Sequence, residues 1–270
     1  MFRLLKKGKE LYKYRVLIQN LVNRELKARY RGTILGFFWS FFNPLLLMIV
    51  YTIVFGFIIR PRVPEFGESP LLYALFLFCG VLPWTWFSSS ALESANVLMV
   101  QGNLIKKILF PVEILPIVVV TSNFVHFVFG LPILFLFALI MLKKFTVYML
   151  FLPVVILVQF VFSLGFALVV SSLTVHFRDV KDILSNMLTL WFFASPIIYP
   201  VTSVQSHKWL RLMLDVNPMT HIMQGYQNCV FFGEMIRWRR LGITFLVSLV
   251  LLVIGYAIFD RLRDSFPEEV

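Results

Sequence analysis

NLVNRELKARYRGTILGFFWSFFNPLLLMIVYTIVFGFIIR, residues 20–60, passes from closely spaced cations into an uncharged apolar run without a spacer. Arg24, Lys27, Arg29 and Arg31 fall within eight residues, whereas Pro44 to Ile59 carries no charge. A segment built this way has one end in water or headgroups and the other in lipid. Gly32, Gly36, Trp39, Asn43 and Pro44 stand at the junction, residue types that suit a bend and a membrane interface.

The whole chain fits that reading. Hydrophobic residues make up 59% of its 270 positions, above the roughly 45–50% of ordinary globular chains, and the mean hydropathy is +0.84. Several stretches approach the roughly 20 apolar residues that cross a bilayer core. The alternating pattern of a transmembrane barrel is missing. The expected class is therefore an all-α polytopic membrane protein. The net charge of +11 is read as cations gathered at a cytoplasmic membrane face, and nucleic acid is not expected as a partner. Cys79 and Cys229 are far apart and lack metal-ligand spacing. The first apolar run is short and broken by Lys6, Lys7 and Lys9, which excludes a signal-peptide reading of the N-terminus.

In chain order, residues 1–31 read as a cytoplasmic amphipathic interface helix. Lys6, Lys9, Lys13, Arg24, Lys27 and Arg31 share one face, and Leu11, Tyr14, Ile18, Leu21 and Val22 another. Arg15 and Arg29 lie near the apolar face and are expected to snorkel. The helix could rest on anionic headgroups or dock a cytoplasmic partner. Residues 32–262 read as a transmembrane domain with six spans, about 34–59, 70–94, 113–142, 145–173, 183–199 and 241–259, with a break expected at Asn43–Pro44 and a kink at Pro83. Residues 263–270 form a polar cytoplasmic tail. The segment 200–235 is odd: short apolar runs split by Asn217–Pro218 and Gly225 are too short to span as straight helices. Re-entrant or interfacial helices are expected there. Sixteen of the 25 Lys and Arg fall on segments that six spans with an inside N-terminus would place in the cytoplasm, so both termini are expected inside. The cluster Arg237, Arg239 and Arg240 opposes that count.

No phosphate-binding GxxxxGK[ST], no HExxH and no GxSxG occurs, so no catalytic residue, metal site or ATP site is assigned to this chain. The four histidines are scattered without ligand spacing, and Glu93 and Glu113 fall at predicted span ends rather than at mid-membrane. That is unlike the charge relay of an ion-coupled transporter. Aromatics make up 17% of the chain, with 30 Phe. Most suit lipid-facing surfaces, yet Phe37, Phe38, Trp39, Phe41, Phe42, Trp84, Trp86 and Phe87 are dense enough to suit a conduit for sugar rings as well.

Several stretches in register resemble a known family. LVNRELKARYRGTILGFFWSFFNPLLLMIVYTIVFG, VLPWTWFSSSALESANVLMVQGNLIKKILFPVEILP, LTVHFRDVKDIL, ASPIIYP and VNPMTHIMQGYQ resemble, in order, the landmarks of the ABC-2 type permeases that export O-antigen, capsule or teichoic acid. The likeness covers about residues 20–240. It departs at Gln227, where an arginine is expected after the tyrosine in many relatives, and this puts an outer-gate ion pair in doubt.

The resemblance implies a homodimeric channel in the inner (cytoplasmic) membrane, working with two separate nucleotide-binding ATPase subunits that bind ATP and Mg. This chain would carry no cofactor. Its substrate would be an undecaprenyl-pyrophosphate-linked polysaccharide, O-antigen foremost. It also implies an ATPase-docking surface at Lys13, Arg24, Lys27, Asn103, Lys106, Lys107 and Leu109, and an outer gate including Pro196, Asn217, Pro218 and Tyr226. Channel aromatics are expected at Phe38, Trp39, Phe42, Trp84, Trp86 and Tyr199. Arg24, Arg29 and Arg31 could meet the pyrophosphate at the entrance, or simply lipid headgroups. Teichoic acid, capsule, drug or small-lipid export remain alternatives within the family; an ion-coupled flippase and an envelope scaffold remain alternatives outside it.

Overall fold

The computed structural model describes residues 13–59, 69–102, 106, 111–143, 146–177, 179–204 and 207–269. The sequence expectations at Asn103, Lys107 and Leu109 lie outside the described residues, as does most of the turn after the first span. Among the described residues every regular element is a helix.

Helix α1 is Arg15–Tyr30, and α2 is Trp39–Tyr51, which continues as a wider, π-type turn over Thr52–Ile59. Helices α3 (Pro70–Val100) and α4 (Ile114–Leu142) follow, then α5 (Leu152–His176), entered through the 3-10 turn Val147–Phe151. Next come α6 (Val180–Phe193), α7 (Lys208–Val216), α8 (Pro218–Gln227) with a π-type extension over Asn228–Phe232, and α9 (Trp238–Leu262). The 3-10 turn Arg263–Ser265 leads into the short α10 (Phe266–Glu269).

Among the described residues four helical stretches are long and apolar enough to cross a membrane: Pro70–Val100, Ile114–Leu142, Val147–His176 and Trp238–Ser265. The run Trp39–Ile59 extends about 30 Å at roughly 1.5 Å per residue. By contrast α6 has 14 residues, about 21 Å, and the expected fifth span ends early: Ser195–Pro200 lies beyond the helix. The interruption in the first span also falls elsewhere than at Asn43–Pro44. Helix α2 runs through Pro44, its sixth residue, and tolerates the one i→i−4 hydrogen bond that proline removes. The chain turns instead at Gly32 (φ +77°) and Gly36 (φ +51°), left-handed conformations that glycine adopts without penalty.

Helix α3 is the axis of the bundle. In its most apolar 18-residue window 78% of residues are buried, against 22% in α4 and α9. That contrast makes α4 and α9 the outer walls, with apolar faces turned outward toward lipid. Around α3 the core gathers Phe76, Phe87, Phe127, Phe162, Met223 and Tyr226. The closest pairing is α5 with α9. A Cβ on Gly165 would stand 2.7 Å from the Leu252 nitrogen, and one on Gly255 would stand 2.5 Å from the Gly165 carbonyl oxygen. The two backbones touch because neither glycine has a side chain, the usual route to tight helix packing in lipid.

The two ends of the bundle differ. One end carries α1, the C-terminus of α3, the N-terminus of α4, and the C-termini of α5 and α9. There the C-terminal segment does not trail away as a polar tail. Phe266 is fully buried against Phe259, ring centroids 5.2 Å apart. His176 Nε2 lies 3.1 Å from Ser265 Oγ, and Arg263 reaches Asp260 (3.0 Å) and the buried Glu113 (3.7 Å). At the opposite end α7 and α8 fold into the structure as two short helices between α6 and α9.

Candidate functional site

Helix α1 is seated, not merely adsorbed. Leu21 and Val22 are buried against Ile114 and Val118 at the start of α4, flanked by Leu17, Ile18 and Leu26. Burying side chains of this size contributes about 1.5–3 kcal/mol each, so this stripe alone fixes the helix on the bundle. The opposite face presents Asn23, Arg24 and Lys27 to solvent. With Arg31 and Gly36 they border a shallow groove of about 770 Å3. Arg24 also donates to Gln101 Oε1 at the end of α3 (3.3 Å).

From the last turn of α1, Arg29 turns inward. Nη2 meets Glu93 Oε2 of α3 at 2.6 Å and Nη1 donates to Asn123 Oδ1 of α4 at 3.1 Å. Asn123 Nδ2 closes the ring by donating to the same Glu93 oxygen at 2.8 Å. The arginine expected to snorkel, and the glutamate expected at an interface, thus neutralise each other. Asn123 supplies the third side and also binds back to its own helix at the Val119 carbonyl (3.2 Å). A charge-assisted pair with a neutral bridge is worth more than an isolated surface pair, about 1.5–3 kcal/mol.

Behind this ring, between α2, α3 and α4, lies a cavity of about 710 Å3. One end is polar: Arg29, Thr33, Ser40, Asn43, Thr85 and Asn123. Ser40 Oγ lies 3.1 Å from His126 Nδ1, which ties α2 to α4. Its other end is apolar, with Leu46, Leu47, Val50, Phe78 and Leu82, and opens outward at the exposed Leu46 and Val50. Trp39 and Trp86 stand in the wall between these zones. A cleft of this volume, with polar groups converging at one end, has the dimensions and chemistry of a ligand site. The polar-to-apolar gradient suits an amphiphile.

The other aromatics expected in a channel divide. The Trp86 ring stacks on Phe127 at 4.9 Å and its indole donates to the Val120 carbonyl, so only part of it faces the cavity. Trp84 is buried against Phe87, Trp191 and Phe192 and belongs to the bundle core. Phe38, in the 3-10 turn just before α2, and Phe42 on α2 are exposed. Tyr199 lies beyond α6, its hydroxyl donating to the Phe193 carbonyl (3.2 Å). Burial raises its pKa above the ordinary phenol value.

At the far end Asn217 and the Pro196 carbonyl take part in a knot of hydrogen bonds that ties the segment after α6 to α8. Asn217 caps α8: its Oδ1 accepts from the Met219 backbone (3.0 Å) and from the Trp191 indole (2.9 Å). Its Nδ2 donates to the Ala194 carbonyl (3.2 Å) and Ser195 Oγ (3.1 Å). Pro218 occupies the first turn of α8, where proline is favoured. Gln227 Nε2 donates to the Pro196 carbonyl at 2.7 Å, so the position where an arginine was anticipated makes a neutral tie. Tyr226 is fully buried, its ring 5.9 Å from Phe127. The opposing cations near Arg237 are partly explained: Arg240 pairs with Asp215 at 2.7 Å, joining α9 to α7. Of the docking candidates, Lys13 and Lys106 are exposed.

Sequence reading placed Glu93 at a span end and Arg29 near the apolar face of the first helix but did not bring them together with Asn123. The three come from different helices, α1, α3 and α4, so no spacing within one segment could reveal the ring. Among the described residues no group of histidines, cysteines and carboxylates is placed to hold a metal ion.

Comparison with known proteins agrees with this architecture. Residues 16–231 match the ABC-2 type transporter family. The chain is 39% identical over 270 residues, the full length of both, to the O-antigen export system permease protein RfbA of Myxococcus xanthus. It is 28% identical over 254 residues to a protein of the same name in Klebsiella pneumoniae, covering 93% of this chain and 94% of that one. It is 22% identical over 254 residues to the polysialic acid transport protein KpsM of Escherichia coli, covering 93% and 95%. With most of its length inside the family match and a full-length relative at that identity, the chain belongs to the ABC-2 type transporter family.

Proposed function

We propose that this chain is the membrane-spanning permease of an ATP-driven exporter of a lipid-linked polysaccharide, O-antigen foremost. The observation that carries the reading is the amphiphilic cavity between α2, α3 and α4, opening beside a basic, firmly seated helix, in a chain with full-length likeness to an O-antigen export permease. A polar end with aromatic walls suits a saccharide, and an apolar end that opens outward suits a polyprenyl chain. The groove bordered by Arg24, Lys27 and Arg31 suits a pyrophosphate, because its guanidinium and ammonium groups face outward. Arg29 serves that role poorly, since Glu93 already holds it.

On this reading the chain has six spans, with α2 as the first and α6 as the short fifth, and both termini in the cytoplasm of an inner-membrane protein. Two copies form the channel. Two separate ATPase subunits dock on α1 and the loop that holds Lys106, and they bind the ATP and Mg. Helices α7 and α8 cap the outer end. The exposed stripe Ile183, Met187, Leu190 and Phe193 on α6 would meet lipid or the second copy.

Co-expression with the ATPase subunit tests this. The expected result is a stable complex of two permeases and two ATPases whose ATP hydrolysis responds to the lipid-linked glycan, with no hydrolysis by the permease alone. A purified chain that stays monomeric and binds no ATPase would overturn the proposal.

A further inference from the structure

We infer that the notch between α8 and the start of α9 is a binding site for the phosphate of a membrane phospholipid, and that this phosphate answers the arginines that oppose the charge count. The notch is narrow, about 10 Å3, with room for about one water-sized atom such as a single phosphoryl oxygen. Gln224 and Asn228, on α8 and its extension, border it together with Arg237 and Arg240 at the start of α9. Gln224 and Asn228 are each only 8% exposed. Among the described residues neither side-chain amide has a hydrogen-bond partner, yet neither is sealed off as the orphan oxygens of Ser163 and Thr220 are. Buried carboxamides are ordinarily satisfied, and each of these has two N–H donors to offer an oxygen that enters the notch.

The charges around the notch call for an anion. Helix α9 begins without a side-chain cap and with no acidic residue in its first turn. Arg237, Arg239 and Arg240 stand there instead, against the positive end of the helix dipole. Asp215 answers Arg240 at 2.7 Å. Among the described residues Arg237 and Arg239 have no acidic partner. The depth of the site selects a lipid over a free anion. Trp238 is 42% exposed and packs on Phe151 with ring centroids 5.3 Å apart, a tryptophan position suited to the headgroup level. Beside it α7 exposes Trp209, Met213 and Val216 on one side, as a helix lying in the interface does. From Arg240 the exposed Ile243, Val247 and Val250 continue along the same side of α9, an apolar lane for acyl chains. A phosphodiester seated here would tie α8 to α9 through charge-assisted hydrogen bonds.

The site does not depend on what the protein carries, so the full chain alone tests it, purified in a neutral detergent. Dioleoylphosphatidylglycerol is titrated in and its retention is read by native mass spectrometry, with dioleoylglycerol and inorganic phosphate as competitors. The expected result is one tightly retained phosphatidylglycerol per chain that neither competitor displaces. Displacement by dioleoylglycerol would overturn the phosphate, and displacement by inorganic phosphate would overturn the lipid as its source. Arg237→Gln should weaken binding about tenfold or more, the worth of one charge-assisted hydrogen bond. Arg239→Gln removes the same charge from a residue outside the notch and should change binding less than about twofold. Equal losses in the two variants would reduce the effect to general charge attraction and overturn the site. Asn228→Asp keeps the side-chain shape but brings a carboxylate to the notch, so it should weaken binding at least as much as Arg237→Gln. Unchanged affinity in that variant would remove the amide from the site. The two arginine variants change surface charges only, so they decide the matter even where Asn228→Asp folds poorly.

Discussion

Replacing Asn217 by alanine is expected to loosen the outer end of the bundle more than any other single polar substitution there. The amide makes four hydrogen bonds, to Met219, Trp191, Ala194 and Ser195. Losing the helix cap costs about 1 kcal/mol. Stranding the Trp191 indole N–H in a half-buried pocket adds about 1–3 kcal/mol. The sum is about 2–4 kcal/mol. At about 2–4 °C per kcal/mol for a chain of this size, the unfolding midpoint in detergent should fall by about 4–16 °C. Asn217→Asp separates the two halves of the effect. Its carboxylate still accepts from Met219 and Trp191 but can no longer donate to Ala194, so it should fall between wild type and alanine. Tryptophan fluorescence during a thermal ramp reads both. A fall below about 2 °C for alanine would refute the reasoning, because it would mean that the knot carries no net stability. An aspartate variant no better than alanine would show that the acceptor side is not what matters.

Three further outcomes follow from contacts elsewhere. Gly165→Ala should destabilise by about 1–3 kcal/mol despite a gain of about 1 kcal/mol in helix propensity, because its methyl would stand 2.7 Å from the Leu252 nitrogen; an unchanged melting midpoint would contradict the close α5–α9 crossing. Phe266→Ala should cost about 3–5 kcal/mol and raise hydrogen exchange in residues 260–269, whereas Phe266→Leu should cost less; equal exchange in both would deny the C-terminal anchor. Lys106→Glu together with Lys107→Glu should abolish co-purification of the ATPase while leaving membrane insertion intact, and retention of the ATPase would remove that loop from the docking surface.

Membership of an all-helical membrane class was legible because hydrophobic runs are a property of single segments. Helices α3, α4, α5 and α9 each carry their signal in their own residues. The amphipathic character of α1 was legible for the same reason: Leu21 and Val22 recur on a face opposite Arg24 and Lys27. What those apolar residues touch was not legible, since Ile114 and Val118 come about 90 positions later. The same limit hid the ring of Arg29, Glu93 and Asn123, whose members sit on three helices. Pro44 misled where it was read as a break, since α2 runs through it. Pro83 lies inside α3, where Gln159 Nε2 donates to its carbonyl at 2.7 Å. The turn between α1 and α2 was marked instead by Gly32 and Gly36, whose positive φ only the structure reveals. Among the aromatics, composition showed density but not direction: Trp39 faces the cavity while Trp84 fills the core.

The central claim is that ATP-driven export runs through this chain. Its most direct test is to reconstitute the permease with its ATPase in sealed liposomes loaded with a lipid-linked polysaccharide bearing a fluorescent label. Glycan crossing the bilayer is then measured as it becomes accessible to an impermeant quencher on the far side. The account predicts movement that needs hydrolysable ATP, stops with a non-hydrolysable analogue, and is lost when residues 1–31 are deleted. Movement that proceeds equally without ATP, driven by an ion gradient, would contradict it.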